Sequence, residues 1–207
     1  MSLILYTNPM SRGRIVRWML EEIGQRYEVE VITYGEQMKG PEYLAINPMG
    51  KVPALRHGDV IVTESAAIIA YLADAFPEAG LAPPPGSQLR GPYYRWLFFA
   101  AACLEGAVLN RMLNVTVPPE QAGAVGYGSY EKVVEVLTGA VSQSSFILGE
   151  EFSAADVYVG SLIGFGLRFG WFDKIPEFKT YYGRVAARPA AVRAAALDDA
   201  MLPPAAA

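Results

Sequence analysis

Three groups of side chains in the first third of this 207-residue chain have types and spacings suited to holding a small charged molecule. Glu64-Ser65 stands immediately before AAIIAYLAD, a run with helical patterning. A carboxylate and a hydroxyl therefore meet at a helix start, where free amides and the positive end of the helix dipole favour an anion. Upstream, Val52-Pro53 interrupts an apolar strand pattern, although proline cannot donate to a sheet ladder. The third group is Ser11 with Arg12, Arg14 and Arg17. Basic side chains at a helix start oppose its dipole by about 0.3–1 kcal/mol each when exposed, so their clustering implies an anion or an acidic partner nearby.

Totals restrict what else the chain does. It is 52% hydrophobic and 18% charged, a globular composition that excludes wholesale disorder. The net charge is −4 and no long Lys/Arg cluster occurs, so a nucleic-acid partner is not expected. One cysteine and one histidine allow neither an internal disulfide nor a Cys/His metal site. Cys103, within FFAAACLEGAVL, reads as a packing thiol, and His57, before Gly58-Asp59, as a solvated turn residue. The first residues lack the charged and apolar regions of a signal peptide, and no apolar run reaches membrane-spanning length. A cytoplasmic protein with no membrane partner is the expectation.

The elements that must position these groups follow from periodicity. Leu3 to Tyr6 reads as a strand closed by Thr7-Asn8-Pro9. Ser11 is the natural N-cap of a helix carrying Ile15, Trp18, Met19 and Ile23 on one face and stopped by Gly24. Tyr27 to Ile32 alternates as a second strand, which completes a βαβ unit with parallel strands. A short irregular helix is expected around Pro41 to Leu44. An antiparallel pair at 52–55 and 60–63 follows, then a helix from Ser65 to Ala75. The Pro/Gly-rich stretch AGLAPPPGS ends the pattern as a linker. Beyond it the chain reads as helical, with long helices over 89–113 and 123–141. A buried helix follows Ser153-x-x-Asp156, a capping box, and two last helices cover about 176–187 and 190–197. The Pro/Ala-rich end, 203–207, is expected to be loose.

This order resembles the cytosolic glutathione transferases. NPMGKVPAL at 47–55 is similar to that family's N-P-x-G-x-V-P motif, in which the proline is cis, and ESAAIIAYL at 64–72 to its E-S-x-A-I-x-x-Y-L helix start. FSAAD at 152–156 resembles the capping box of its central second-domain helix. The three motifs are correctly ordered across the chain. The resemblance implies a thioredoxin-like α/β domain over 1–78 (βαβ-α-ββα, a mixed four-stranded sheet), a linker at 79–87 and an all-helical bundle over 88–207.

It also implies a site. Val52, turned outward by the cis bond to Pro53, would pair with the cysteinyl backbone of glutathione as a short added strand. Ser65 and its helix amides would receive the γ-glutamyl carboxylate, with Glu64 near the ammonium. Gln37, Lys39 and Lys51 could reach the glycyl carboxylate. For the thiolate, Ser11 matches the serine position of the phi and theta classes, while Arg12 stands where the cysteine-type bacterial class has its cysteine. Thr7, Asn8 and Tyr6 are the alternatives. Arg17 reads as structural, pairing with Asp156 or Glu64. Met10, Phe98, Phe99, Ala102, Leu109 and Trp171 are candidates for the electrophile pocket, and Ser153 with Asp156 for a structural cap. The implied activity is conjugation of glutathione, as co-substrate, to small hydrophobic electrophiles in detoxification, by a homodimer without metal or redox cofactor. Glutathione-dependent peroxide reduction, isomerisation or dehalogenation, and a non-catalytic glutathione-binding module, are the alternative functions.

Overall fold

β1 (Leu3–Thr7) is the strand around which the first part of the molecule is built. In the computed structural model, which describes residues 2–202, β1 pairs in parallel with β2 (Glu28–Val31) and antiparallel with β3 (Ala54–His57). β3 in turn pairs antiparallel with β4 (Val60–Thr63), giving a mixed four-stranded sheet in the order β2-β1-β3-β4. The crossover between β1 and β2 is α1 (Gly13–Ile23). Its fully buried Ile15, Val16, Met19 and Leu20 form the face the periodicity predicts, and Gly24 ends it in the left-handed conformation at φ 68°. Two single-turn helices, α2 (Glu36–Lys39) and α3 (Pro41–Leu44), lie between β2 and β3, and α4 (Ser65–Ala75) follows β4.

Several boundaries differ from expectation for identifiable reasons. β3 starts at Ala54 rather than Val52, because Pro53 has no N–H to give the ladder, and it runs on to His57. His57 is accordingly half-buried rather than a solvated turn residue. Its Nδ1 lies 2.9 Å from the Tyr71 hydroxyl, and its ring stacks on Phe76 at 5.5 Å. β2 is an edge strand, so its alternation does not bury Val31. The predicted helix over 123–141 begins only at Tyr130, where Ser129 caps it by accepting the Lys132 amide; a 3₁₀ stretch covers Pro119–Ala124.

By its contacts the chain forms two compact units. The first holds the described residues up to Ala79 together with those from Ala187 onward, and the second runs from Gly80 to Ala186. The last helix, α10 (Pro189–Asp199), therefore packs on α1 within the sheet-containing unit and not with the helical segment in which the sequence places it. Charge complementarity accounts for this. Arg17 of α1 donates to Asp198 at 2.8 Å, with both residues only 1% exposed. Arg14 meets Asp199, Glu22 meets Arg188, and Glu21 meets Arg193. The pairing of Arg17 with Asp156 or Glu64 is thereby corrected, since its partner is Asp198.

The second unit begins with a continuous helical run, α5 (Arg90–Phe98), a π-helical section at Phe99–Leu104, and α6 (Glu105–Met112). Cys103 lies in the π section, half-buried rather than enclosed, with Sγ 3.6 Å from the Gly126 carbonyl. After α7 (Tyr130–Val141) comes α8 (Ala154–Phe169), the nearly all-apolar central helix, and then α9 (Pro176–Ala186). The capping box at the start of α8 is formed. The Asp156 carboxylate accepts from the Ser153 amide at 2.9 Å and hydroxyl at 3.0 Å, the Ile147 amide at 2.7 Å and the Tyr181 hydroxyl at 2.7 Å. The expected loose end at 203–207 lies outside the described residues. No helix among the described residues is long and apolar enough to cross a membrane.

Candidate functional site

Strand register brings the three side-chain groups to one edge of the sheet. Thr7 pairs with Val31, Tyr6 with Ala54, and Ala54 with Thr63. The chain therefore leaves β1 into the Ser11 loop, enters β3 from Val52-Pro53 and leaves β4 into Glu64-Ser65 at the same end. β2 also ends there, so Tyr34 and Gln37 follow at this edge. All of these residues belong to the first unit.

The loop after β1 is held by Asn8. Its side-chain amide donates to the Ile32 carbonyl at 3.0 Å, and its Oδ1 accepts the Met10 amide at 3.0 Å. Ser11 is not the N-cap residue of α1; that position is occupied by Arg12. The Ser11 Oγ nevertheless accepts the Gly13 amide at 2.9 Å and donates its proton to the Asn8 carbonyl at 2.7 Å. That carbonyl also receives the Ser11 amide at 3.0 Å. Turning the Ser11 proton elsewhere thus leaves the Asn8 carbonyl satisfied.

Thr7 is fully buried, and its Oγ1 has no hydrogen-bond partner. Such a group costs about 1–3 kcal/mol and calls for an explanation. It presses on Gly13: a Cβ at residue 13 would collide with Thr7 Oγ1, and Ser11 Oγ lies 3.0 Å from the same point. Only glycine fits there.

Tyr6 turns to the other face of the sheet. It packs in a core with Ile32, Met38, Tyr43 and Ala54, and its hydroxyl accepts from Arg56 Nε at 3.1 Å. Arg14 is committed to the Pro9 carbonyl and to Asp199, so α10 supplies the acidic partner that the clustered arginines implied. Arg12 is exposed, as is Met10, whose carbonyl accepts the Tyr34 hydroxyl at 3.3 Å. Burial raises the Tyr34 pKa, and the nearby Arg12 charge works in the opposite direction.

The Val52–Pro53 peptide is cis, and Val52 is half-buried beside the exposed Lys51. Two side chains that sequence reading overlooked hold this segment. The Tyr43 hydroxyl and the Asn47 amide each donate to the Lys51 carbonyl at 2.7 Å. Asn47 was detectable from its Asn-Pro-x-Gly turn, whereas nothing in the local pattern distinguishes Tyr43 from a plain core aromatic. Burial, with the neighbouring Tyr6 and Glu30, pushes the Tyr43 phenol up to about 12. Lys39 is drawn into the same scaffold: its ammonium donates to the Gly50 carbonyl at 2.7 Å and the Met49 carbonyl at 3.2 Å. Gln37 Oε1 is engaged by the Thr33 amide and hydroxyl, each at 2.7 Å.

Glu64 adopts φ 67°, ψ 119°, a conformation a non-glycine residue holds only when its surroundings impose it. It is exposed, while the adjacent Ser65 is 9% exposed at the first residue of α4. An anion seated at that helix start would meet the first amides of an eleven-residue helix.

In the second unit Phe98 and Leu109 are 69% and 53% exposed, Ala102 is exposed and Phe99 half-buried. Trp171 stacks against Phe169 at 5.9 Å, its indole nitrogen buried without a partner. Among the described residues, no group of three or more His, Cys, Asp or Glu is placed to hold a metal ion.

A mixed sheet with a cis-proline before β3 and a polar helix start after β4 defines a thioredoxin-like domain, here followed by a mostly helical region. Residues 5–80 match the family model for the glutathione S-transferase N-terminal domain. Similarity continues beyond it. Glutathione S-transferase 3 of Zea mays is 28% identical over 200 residues, covering 90% of each chain. A glutathione transferase structure from Methylococcus capsulatus strain Bath superposes with a TM-score of 0.80 at 28% identity, over 96% of this chain and 99% of that one. A sphingomonad glutathione S-transferase complexed with glutathione gives 0.77 at 27% identity, over 95% and 98%. Residues 5–80 thus carry the N-terminal domain of the glutathione S-transferases, and the chain is similar to members of that family over nearly its whole length.

Proposed function

We propose that this protein binds glutathione at the sheet edge formed by the Ser11 loop, Val52-Pro53 and Glu64-Ser65, and transfers its thiolate to small hydrophobic electrophiles. The observation that carries the reading is the convergence of those three segments through the register of β1, β3 and β4. Val52 pairs with the cysteinyl main chain, as an added strand would. Ser65 and the first amides of α4 hold the γ-glutamyl carboxylate, and Glu64, in its constrained conformation, faces the ammonium. Lys51 serves the glycyl carboxylate. Gln37 and Lys39, engaged by Thr33 and the Met49–Gly50 carbonyls, shape that side rather than contact the ligand.

Ser11 stabilises the thiolate by turning its proton from the Asn8 carbonyl to the sulfur. A free thiol titrates near ~8.5, and lowering it by two units requires about 2.7 kcal/mol of preferential thiolate stabilisation. One hydrogen bond to a charged acceptor supplies about 1.5–3 kcal/mol, so a single hydroxyl suffices in magnitude. Arg12, exposed on the same loop, adds positive charge for the thiolate or an anionic substrate. The reaction brings the two reactants together and delivers an activated nucleophile; neither a metal nor a redox cofactor enters it. The proposal extends to a cytoplasmic homodimer acting in detoxification.

One observation favours a second reading, a glutathione-binding module without transferase activity: the Ser11 proton already has an acceptor in Asn8. Retention on immobilised glutathione, followed by assay with a chlorodinitrobenzene-type acceptor, separates the two. Retention with turnover that falls at least tenfold in Ser11→Ala supports the transferase. Retention without turnover supports the module, and absence of retention overturns both.

A further inference from the structure

We infer that Thr7 is a positioning residue for Ser11, its buried hydroxyl serving as the donor that backs the serine when the serine donates to the ligand thiolate. The inference rests on the proposed role of Ser11.

Thr7 ends β1, is fully buried and has an Oγ1 without a partner. Ser11 Oγ, one loop later, is half-exposed and makes two hydrogen bonds, one given to the Asn8 carbonyl and one accepted from the Gly13 amide. A hydroxyl oxygen has two lone pairs, so Ser11 Oγ retains capacity to accept once more. Thr7 Oγ1 and Ser11 Oγ border the same small space opposite Gly13, from which any side chain at residue 13 is excluded. A buried donor without an acceptor therefore adjoins an acceptor with a free lone pair.

When the Ser11 proton turns to a sulfur anion, negative charge is drawn toward its oxygen, and a hydroxyl donating to that oxygen polarises the serine into a stronger donor. The pairing requires the Ser11 side chain to turn toward Thr7, and the Asn8 carbonyl, which also receives the Ser11 amide, stays satisfied when it does. The neighbouring cations do not substitute for this role. Arg14 is held by Pro9 and Asp199, Arg17 by Asp198, and Arg12 lies on the exposed side of the loop.

The test is the pKa of the glutathione thiol in the complex, read from thiolate absorbance during a pH titration, for the wild type, Thr7→Val, Thr7→Ser and Ser11→Ala. Thr7→Val keeps the shape and removes the hydroxyl. It is expected to raise the bound thiol pKa by roughly half a unit, the scale of one polarised hydrogen bond, with glutathione affinity changed less than twofold. Thr7→Ser is expected to restore the wild-type value, and Thr7→Val to add nothing in a Ser11→Ala background. A pure packing role would alter melting temperature but leave the thiol pKa in place. If Ser11→Ala raises the pKa and Thr7→Val does not, the inference on Thr7 is overturned and the Ser11 reading stands. An unchanged pKa in Ser11→Ala, or no bound thiolate in the wild type, overturns both. Should Thr7→Val not fold, Thr7→Ala provides the same readout.

Discussion

The hydroxyl of Tyr43 donates to the main-chain carbonyl of Lys51 over 2.7 Å, bracing the residue before Val52 from a helix of only four residues. The Asn47 amide reaches the same oxygen at the same distance, so the segment proposed to pair with glutathione is held from behind by two side chains. Tyr43→Phe leaves that carbonyl satisfied by Asn47. The expected stability loss is therefore small, about 0.5–1.5 kcal/mol in urea denaturation. Loosening of Val52 is expected to raise the KM for glutathione several-fold while kcat at saturation holds.

Tyr43 also makes stability depend on alkaline pH. Its folded pKa of about 12 lies above the ordinary value of 10, so folding favours the neutral phenol. The contribution is fully present below pH 10 and is lost as pH rises through about 12. Tyr27, raised to about 12 by burial and its hydrogen bond to Glu21, adds to the same window. Denaturation midpoints measured from pH 9 upward are expected to fall in the wild type and less steeply in Tyr43→Phe.

Glu64 holds a conformation that suits glycine, at a cost of about 1–3 kcal/mol of backbone strain. Glu64→Gly is expected to raise the melting temperature or leave it unchanged, since strain relief outweighs the added freedom of the unfolded chain. The same variant is expected to weaken glutathione binding at least fivefold, read by calorimetry. A destabilised variant with intact binding would count against the proposed role.

Arg17 and Asp198 form a buried ion pair between α1 and α10. Burial raises the Asp198 pKa while the Arg17 charge lowers it. Asp198→Ala strands a guanidinium and is expected to cost about 3–5 kcal/mol, whereas Arg17→Met with Asp198→Leu is expected to be near neutral. Chemical denaturation of the two variants checks the contrast.

Asp156 collects four donors, more than a helix cap alone requires. Asp156→Ala leaves the Ile147 amide and the Tyr181 hydroxyl without their acceptor inside the second unit. A loss of about 2–4 kcal/mol is expected, above the ~1 kcal/mol typical of a cap. Glutathione affinity of the folded fraction is expected to be unchanged.

Much of this molecule could be read from its residues because the signals are local. Gly24 stops α1, and Ser153 and Asp156 cap α8, since each depends on a backbone conformation or hydrogen bond within a few residues; the cis form of the Val52–Pro53 bond was expected from the resemblance of its motif. Periodicity likewise located most strands and helices to within a few positions, although α7 begins only at Tyr130 and α2 was not foreseen. What local pattern could not supply was the choice among distant partners. The arginines of α1 look alike in sequence, yet only packing against α10 assigns Arg14 to Asp199 and Arg17 to Asp198. Tyr6 and Thr7 are adjacent in β1, but the pleat sends one to Arg56 and the other beneath Gly13. The sequence alone thus determined most of the elements and the residues whose types suit a small charged ligand. Tertiary structure decided which of them share an edge, because strand register, a long-range property, sets what stands beside what.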